Sequence, residues 1–375
     1  MKVVWDLAVV GAGPAGVGVA LGALAAEPGL SVALLDRQDF PRDKPCGDGI
    51  APQVLDLLAG VGVTGILDDR RPVRRLSLQR GGLAVDREME RDAWVVPRRL
   101  FDHRLVEAAQ NAGAALVRHR VRGLAVHRDS VLLDDSLAAK VVVGADGAQS
   151  VVRRAVGGRS GPTALALRGY APTPVDRVAR QVIVFGLARQ PSYAWSFDRG
   201  DGLSNVGYGE ALSTARPHPT RVELLAQLEE LLPGAGEGGS DWRAHHLPLS
   251  TWSWRPQGGR VLLAGDAAGL VNPMTGEGIY YAVATGLLAG RAAAMAIRAG
   301  NAGDAGSQYR RMVGRTLGKH FRHTALAGRM SRSGPVLDAG IRAAAADQRV
   351  FDDLVELGLA NGHLTTHLLR ALVLR

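Results

Sequence analysis

The sequence has almost no cysteine and almost no lysine. One cysteine, Cys46, stands among 375 residues. A single thiol closes no internal disulfide, so the fold must rest on a packed core, and a reducing, cytoplasmic setting is expected. Lysine occurs only at 2, 44, 140 and 319, so nearly all of the 45 basic residues are arginine. Aromatic residues make up only 5%. Nucleic-acid binders concentrate basic charge on one stripe and add stacking aromatics. Here the arginines are interleaved with acids, as in "LDDRRPVRR" (67–75), so nucleic-acid binding is not expected.

No apolar run is long enough to span a membrane uninterrupted. The strongest, 280–297, carries Arg291 near its middle. Asp6 breaks the opening apolar run and no A-x-A site follows directly, so the run does not read as a signal peptide. H-E-x-x-H is also missing. His320 and His323 lie three apart and His363 and His367 four apart, which puts each pair on one helix face. Without further ligands nearby they read as surface histidines, and no metal is expected.

What is present is a chain with 46% hydrophobic residues and a net charge of +9. The first suits a substantial core. The second suits a field that attracts an anionic cofactor or substrate.

A dinucleotide unit opens the chain. Residues 3–10, "VVWDLAVV", read as a parallel strand covered on both faces. "GAGPAG" follows at 11–16 and starts an Ala/Leu-rich helix. A second apolar strand, 30–36, ends in Asp36, twenty residues after Gly16. Gly11 permits the tight turn, Gly13 lets backbone approach a pyrophosphate, and Gly16 lets helix pack on strand. Pro14 and Ala15 begin the helix, whose free N–H groups and dipole favour phosphate. Asp36, with Arg37 beside it, is placed to hold ribose hydroxyls.

Two later stretches repeat the strand-then-turn pattern. "KVVVGADGAQSVVRR" (140–154) holds Asp146-Gly147, and "GRVLLAGDAAGLVNPMTGEGIYYAVATG" (259–286) holds Gly265-Asp266. In the second, Pro273, Gly276, Gly278 and Ile279 shape a loop that enters a helix.

These three stretches resemble the FAD-binding pattern of the para-hydroxybenzoate-hydroxylase-like superfamily. "RRLFDHRL" (98–105) matches the arginine before F-D in its first crossover. The resemblance implies FAD, with Asp36 on the adenosine ribose, Arg98 near the cofactor and Asp266 on the ribityl chain. "FPRDKPCGDGI" (40–50), "PSYAWSFDRGDGLSNVGYG" (191–209) and "NPMTGEGI" (272–279) together resemble its geranylgeranyl-reductase branch. That implies a Cys46-Gly47-Asp48 loop beside the flavin and substrate, and Tyr193, Trp195 and Phe197 lining a lipid pocket. Period-two spacing puts those three rings on one sheet face, as it also would in an ordinary core. The branch has proline after the phenylalanine, where this chain has Asp198.

The expected fold is α/β: a Rossmann-like FAD domain interleaved with an antiparallel-sheet substrate domain, and then C-terminal helices. The FAD domain takes 1–50, 95–160 and 255–300; the substrate domain takes 51–94 and 161–254; helices take 301–375. Two amphipathic stretches near the end, "VFDDLVELGL" and "HLLRALVLR", suit packing on their own domain or contact with a membrane surface.

The expected function is reduction of a carbon–carbon double bond in a lipophilic small molecule by an FAD enzyme. Cys46, Gly47 and Asp48 are its candidate catalytic residues. One dinucleotide fingerprint leaves NAD(P)H as a transient visitor, or another reductant in its place. An FAD monooxygenase acting on a natural product is the alternative, and a flavin-binding protein without catalysis is the third reading. Hydroxylases carry histidine after "GDAA"; Gly269 stands there in this chain and favours the reductase.

Overall fold

The computed structural model describes residues 4–373 apart from 160, 214 and 253. Two sheets alternate along the chain. In the first, Val4–Val10 lies between Val32–Asp36 and Leu137–Gly144, parallel to both. Ala115–Arg118 extends one edge in parallel, and Val261–Leu263 joins Leu137–Gly144 on the other side. The short strands Val131–Leu133 and Leu124–Val126 complete it in antiparallel fashion. Every residue of Val32–Asp36 is buried, as a strand covered on both faces requires.

Two helices pack face to face beside this sheet, Pro14–Ala26 and Ile279–Arg298. Glycines on both let the backbones meet. A Cβ at Gly290 would stand 2.0 Å from the Val19 carbonyl oxygen, and one at Gly22 would stand 2.4 Å from that of Leu287. The longest apolar stretch of the chain is therefore a core helix.

The second sheet has eight strands. From one edge they run Ser240–Pro248, Thr163–Pro172, Leu203–Ala211, Ser192–Asp198, Arg180–Phe185, Val73–Arg80, Leu83–Val95 and Gly49–Ile50. All neighbours are antiparallel except Arg180–Phe185 and Val73–Arg80. Alternation gives the sheet two apolar faces. Val182, Val184 and Ala194 pack with Leu224 and Leu228 of helix Arg221–Leu231. Ile183 and Phe185 point the other way, with Leu76 and Val85, toward the C-terminal helices.

Those helices, Gly318–Met330, Gly334–Ala346, Gln348–Leu359 and Thr366–Val373, cover the second sheet. The apolar faces of the last two turn inward: Phe351, Leu357 and Leu368 are fully buried. His320 is also buried, at 1% exposure, which corrects the expectation of a surface residue. Its Nε2 lies 2.6 Å from the Tyr281 hydroxyl and its Nδ1 lies 2.6 Å from the Gly362 carbonyl oxygen. A carbonyl only accepts, so Nδ1 carries the proton and Nε2 accepts from Tyr281. Burial holds the ring neutral, down to about 4.

Candidate active site

The loop after Val4–Val10 sets one end of the site. Gly11 adopts φ 102°, and a Cβ there would stand 2.4 Å from the Ala145 carbonyl oxygen. Only glycine permits both the turn and the approach. Gly16 must also lack a side chain, because a Cβ would overlap the Gly11 carbonyl. Gly13 differs. Within 4 Å of its Cβ position lie only Arg42 Nη2, at 3.5 Å, and Arg98 Nη2, at 3.9 Å. Two guanidiniums thus face the first turn of Pro14–Ala26, and the space between them suits an anion.

Acids fix those guanidiniums. Arg98 pairs bidentately with Asp102, at 2.6 and 2.8 Å. Arg42 spans Asp102 and Asp36, at 3.3 and 3.4 Å. Asp36 accepts the Ala12 N–H at 3.0 Å and the Gln38 N–H at 3.0 Å, which ties both loops to the strand end. Arg37 is exposed beside it and lines the same cavity. Asp146 accepts from the Ser150 hydroxyl at 2.5 Å and the Val151 N–H at 2.6 Å, so it caps helix Val151–Ala155.

Gly265 and Asp266 begin a short turn of helix at the end of Val261–Leu263. Gly265 has φ 56° and sits against Ala15 and Ala282. Asp266 accepts from Lys44 Nζ at 2.9 Å. Burial pushes its carboxyl up, but the surrounding cations, the Lys44 ammonium first and the Arg98 guanidinium behind it, together outweigh this and hold it below the usual range. His245 lies nearby, kept neutral down to about 4 by burial and by Lys44.

The next loop, 272–278, rests on the C-terminal helices. Asn272 Nδ2 donates to the carbonyls of Leu357 and Gly358, each at 3.2 Å, and Thr275 donates to Gly358 at 2.7 Å. Pro273 packs against Gly328, and Gly278 lies against Asp266. Gly276, at φ 74°, passes under the Tyr193 hydroxyl, which donates to the Thr275 carbonyl. Glu277 accepts the Tyr280 N–H at 2.9 Å and so caps helix Ile279–Arg298. Burial raises its carboxyl to about 7.

Opposite this loop stand the aromatic row and the cysteine. The ring of Trp195 lies 5.8 Å from that of Tyr193 and 6.4 Å from that of Phe197. Gly47 passes over the row, its Cβ position 3.6 Å from Phe197 and 3.9 Å from Trp195 Nε1. Cys46 is half-buried next to Arg98, and burial raises its thiol. It is therefore a thiol at neutral pH. Asp48 is fully buried, at φ 61°, and accepts from Tyr170 at 2.6 Å and Asn205 at 2.9 Å. Burial pushes it up to about 6. Asp198, where the resembling branch has proline, lies off the cavity lining. It accepts the N–H groups of Ala179 and Gly200, at 2.6 and 3.0 Å, and locks the turns beside the row.

One cavity of about 790 Å³ joins most of these groups, with Gly16, Gly265, Tyr170 and Asn205 standing behind its lining. It runs from Gly13 and Asp36, past Cys46 and Tyr193, into an apolar chamber. Leu76 and Ile183 of the sheet form one wall of the chamber; Leu337, Ile341, Leu354 and Leu368 of the C-terminal helices form the other. Arg42, Asp48 and His245 line the cavity, and Arg42 Nε, Asp48 Oδ1 and His245 Nε2 are each enclosed in protein without a partner among the described residues. The open cradle at Gly13, faced by the Arg42 and Arg98 guanidiniums, fits the pyrophosphate of a dinucleotide cofactor.

The FAD binding domain family matches residues 5–311. The chain belongs to this FAD-dependent oxidoreductase family, in its geranylgeranyl-reductase-like branch. It is 33% identical to the menaquinone reductase of Mycolicibacterium smegmatis over 76% of this chain and 75% of that one. It is also 33% identical to the geranylgeranyl diphosphate reductase of Rhodobacter capsulatus, over 80% of this chain and 78% of that one. The fold is shared with a geranylgeranyl bacteriochlorophyll reductase-like protein of Thermoplasma acidophilum, with a TM-score of 0.81 at 21% identity. That match covers 99% of this chain and 96% of the other.

The sequence pattern brought together the residues from Gly11 to Ile279 that line the cavity. It passed over Arg42, Lys44, Tyr170, Asn205, His245 and Glu277, whose place depends on strands and loops distant in the chain. It also passed over the chamber wall beyond residue 330. The local signals were the two amphipathic stretches, 350–359 and the one that begins at His367, which carry Leu354 and Leu368 of that wall.

Proposed function

We propose that this FAD enzyme reduces a carbon–carbon double bond in the prenyl portion of a lipid. The observation that carries the reading is the continuity of the cavity: the nucleotide end opens, at the Tyr193–Trp195–Phe197 row, into a chamber lined by aliphatic side chains. Such a chamber removes a long apolar chain from water, at about 25 cal/mol for each Å² buried. The names of the menaquinone and geranylgeranyl diphosphate reductases support the same substrate class.

The residues divide the work. Gly11, Gly13, Pro14 and Ala15 would hold the pyrophosphate, with Arg42 and Arg98 completing its charge, while Gly16 lets the helix close on the Gly11 turn. Asp36 takes the adenosine ribose, with Arg37 and Asp146 bordering the adenosine end. Gly265 and Asp266 take the ribityl chain, and Gly276, Gly278 and Ile279 border the ring. Reduced FAD supplies the hydride. Cys46 and Gly47 would border the space in which ring and substrate meet. Tyr193, Trp195, Phe197 and Pro273 position the double bond. The apolar wall excludes bulk water from it. The two electrons come from NAD(P)H, which visits without a second nucleotide domain, in a reducing cytoplasmic setting.

Anaerobic single turnover tests this. Photoreduced enzyme is mixed with geranylgeranyl diphosphate or with menaquinone. Return of the oxidised-flavin absorbance, with a product heavier by two hydrogen atoms, is the expected result. Absorbance that returns only on admission of oxygen, with a product heavier by one oxygen atom, makes the enzyme a monooxygenase.

A further inference from the structure

Reduction of a double bond adds a hydride to one carbon and a proton to the other. The chamber is apolar, so that proton must come from the protein. Most acids on the cavity are already engaged. Asp36 and Asp146 accept backbone N–H groups, Asp266 is paired with Lys44, and Glu277 caps a helix.

Asp48 differs in three ways. Its Oδ1 has no donor among the described residues, although the side chain is fully buried. A buried carboxylate oxygen left this way costs about 1–3 kcal/mol, which a proton relieves. Its backbone adopts φ 61°, a conformation that an aspartate keeps only when its surroundings impose it. Here the Val96 N–H holds its carbonyl at 2.8 Å, and Tyr170 and Asn205 hold Oδ2. Finally, it is linked outward. The Tyr170 ring lies between the guanidiniums of Arg168, at 4.5 Å, and Arg199, at 4.6 Å, and is only half-buried.

We propose that Asp48 is the proton donor of the site and that Tyr170 is the link through which it is recharged. This rests on the reductase reading above. FAD in its reduced form would supply the hydride to one carbon, and the Asp48 O–H bond breaks as a C–H bond forms at the other. Asp48 is left as a carboxylate. Tyr170 then passes its proton to Oδ2 while taking one from water, and a half-turn of the carboxyl about Cβ–Cγ carries the protonated oxygen to the Oδ1 position, which closes the cycle. The shift is concerted, because burial and the adjacent carboxylate keep the free phenol from ionising. A two-electron donor of the NAD(P)H class would restore the reduced cofactor between turnovers. The charges facing Asp48 are Arg168, on the Tyr170 strand, and Arg98, on helix Arg98–Asn111; both favour the carboxylate, and burial outweighs them. Asn205 faces it from the strand Leu203–Ala211, and the neutral Cys46 thiol from its own loop.

Two measurements on the FAD-loaded enzyme test the proposal. In the first, infrared titration without substrate should show a protonated carboxyl band that disappears as pH rises through about 6. Asp48→Asn should lack the band. Tyr170→Phe should move it to higher pH, because the phenol hydrogen bond favours the charged form. In the second, anaerobic single turnover with geranylgeranyl diphosphate should slow as pH rises through the same value. Asp48→Asn should be about 100-fold slower or worse, with a flat pH profile. Tyr170→Phe should shift the profile with the band. The proposal fails if Asp48→Asn keeps the wild-type rate and profile, or if Glu277→Gln abolishes the titration instead. If Asp48→Asn loses FAD, the coupled shifts in Tyr170→Phe decide. A band that behaves as expected, in an enzyme that reduces neither geranylgeranyl diphosphate nor menaquinone, would reject the reductase reading and leave the proton site standing.

Discussion

Asn205 Nδ2 lies 2.8 Å from the carbonyl oxygen of Cys46. The same amide donates to Asp48, and its Oδ1 accepts from Trp195 Nε1 at 2.8 Å. One side chain thus joins the cysteine loop to the aromatic row across 159 residues of chain. Asn205→Ala takes this partner from the Cys46 carbonyl and from Trp195 Nε1, and leaves Asp48 Oδ2 with Tyr170 alone. It should lower stability by about 2 kcal/mol in chemical denaturation. It should also let alkylating agents reach Cys46 faster. Wild-type stability with wild-type alkylation would show that the amide does not hold the loop.

Gly13→Val should give folded but colourless protein. No backbone crowds the Gly13 Cβ position, only the ends of Arg42 and Arg98, so the chain has room for the side chain. The valine instead takes the place of phosphate. The check is absorbance of the purified protein and chromatography of the released cofactor, which should be FAD in the wild type. A fully yellow variant would move the pyrophosphate elsewhere.

His320 makes stability depend on pH. Its folded value is depressed to about 4 from the usual 6.5. The contribution is therefore complete above about 6.5 and is lost as pH falls through 4. Its size is about 3 kcal/mol. Urea unfolding at several pH values should show a shallower acid decline for His320→Gln than for the wild type. Parallel declines would assign the acid sensitivity to other groups.

Leu337→Trp should shorten the apolar chamber. Leu337 lines its helical wall and is only half-buried, so a larger ring projects into the cavity. We expect kcat/KM for a long prenyl substrate to fall about tenfold or more, with a smaller loss for a short one. FAD content should remain that of the wild type. Equal losses for both lengths would place the substrate chain elsewhere.

The dinucleotide end of this protein was legible from local sequence. Gly11, Gly16 and Asp36 act through backbone turns and strand ends within one βαβ unit, and such geometry is set by residue type at fixed spacing. The aromatic row was legible for the same reason, since alternation along Ser192–Asp198 carries Tyr193, Trp195 and Phe197 to one side. Whether that side was a core or a cavity was not, because alternation reports a face and not what lies opposite it. The tertiary structure decided this by folding the helices beyond residue 318 over the sheet and leaving space between them. It also turned His320 inward, and it set Tyr170 and Asn205 around Asp48. These pairings join residues more than 100 positions apart. Burial and charge partners at such separations arise only when the sheets and helices pack, so no motif length in the sequence contains them.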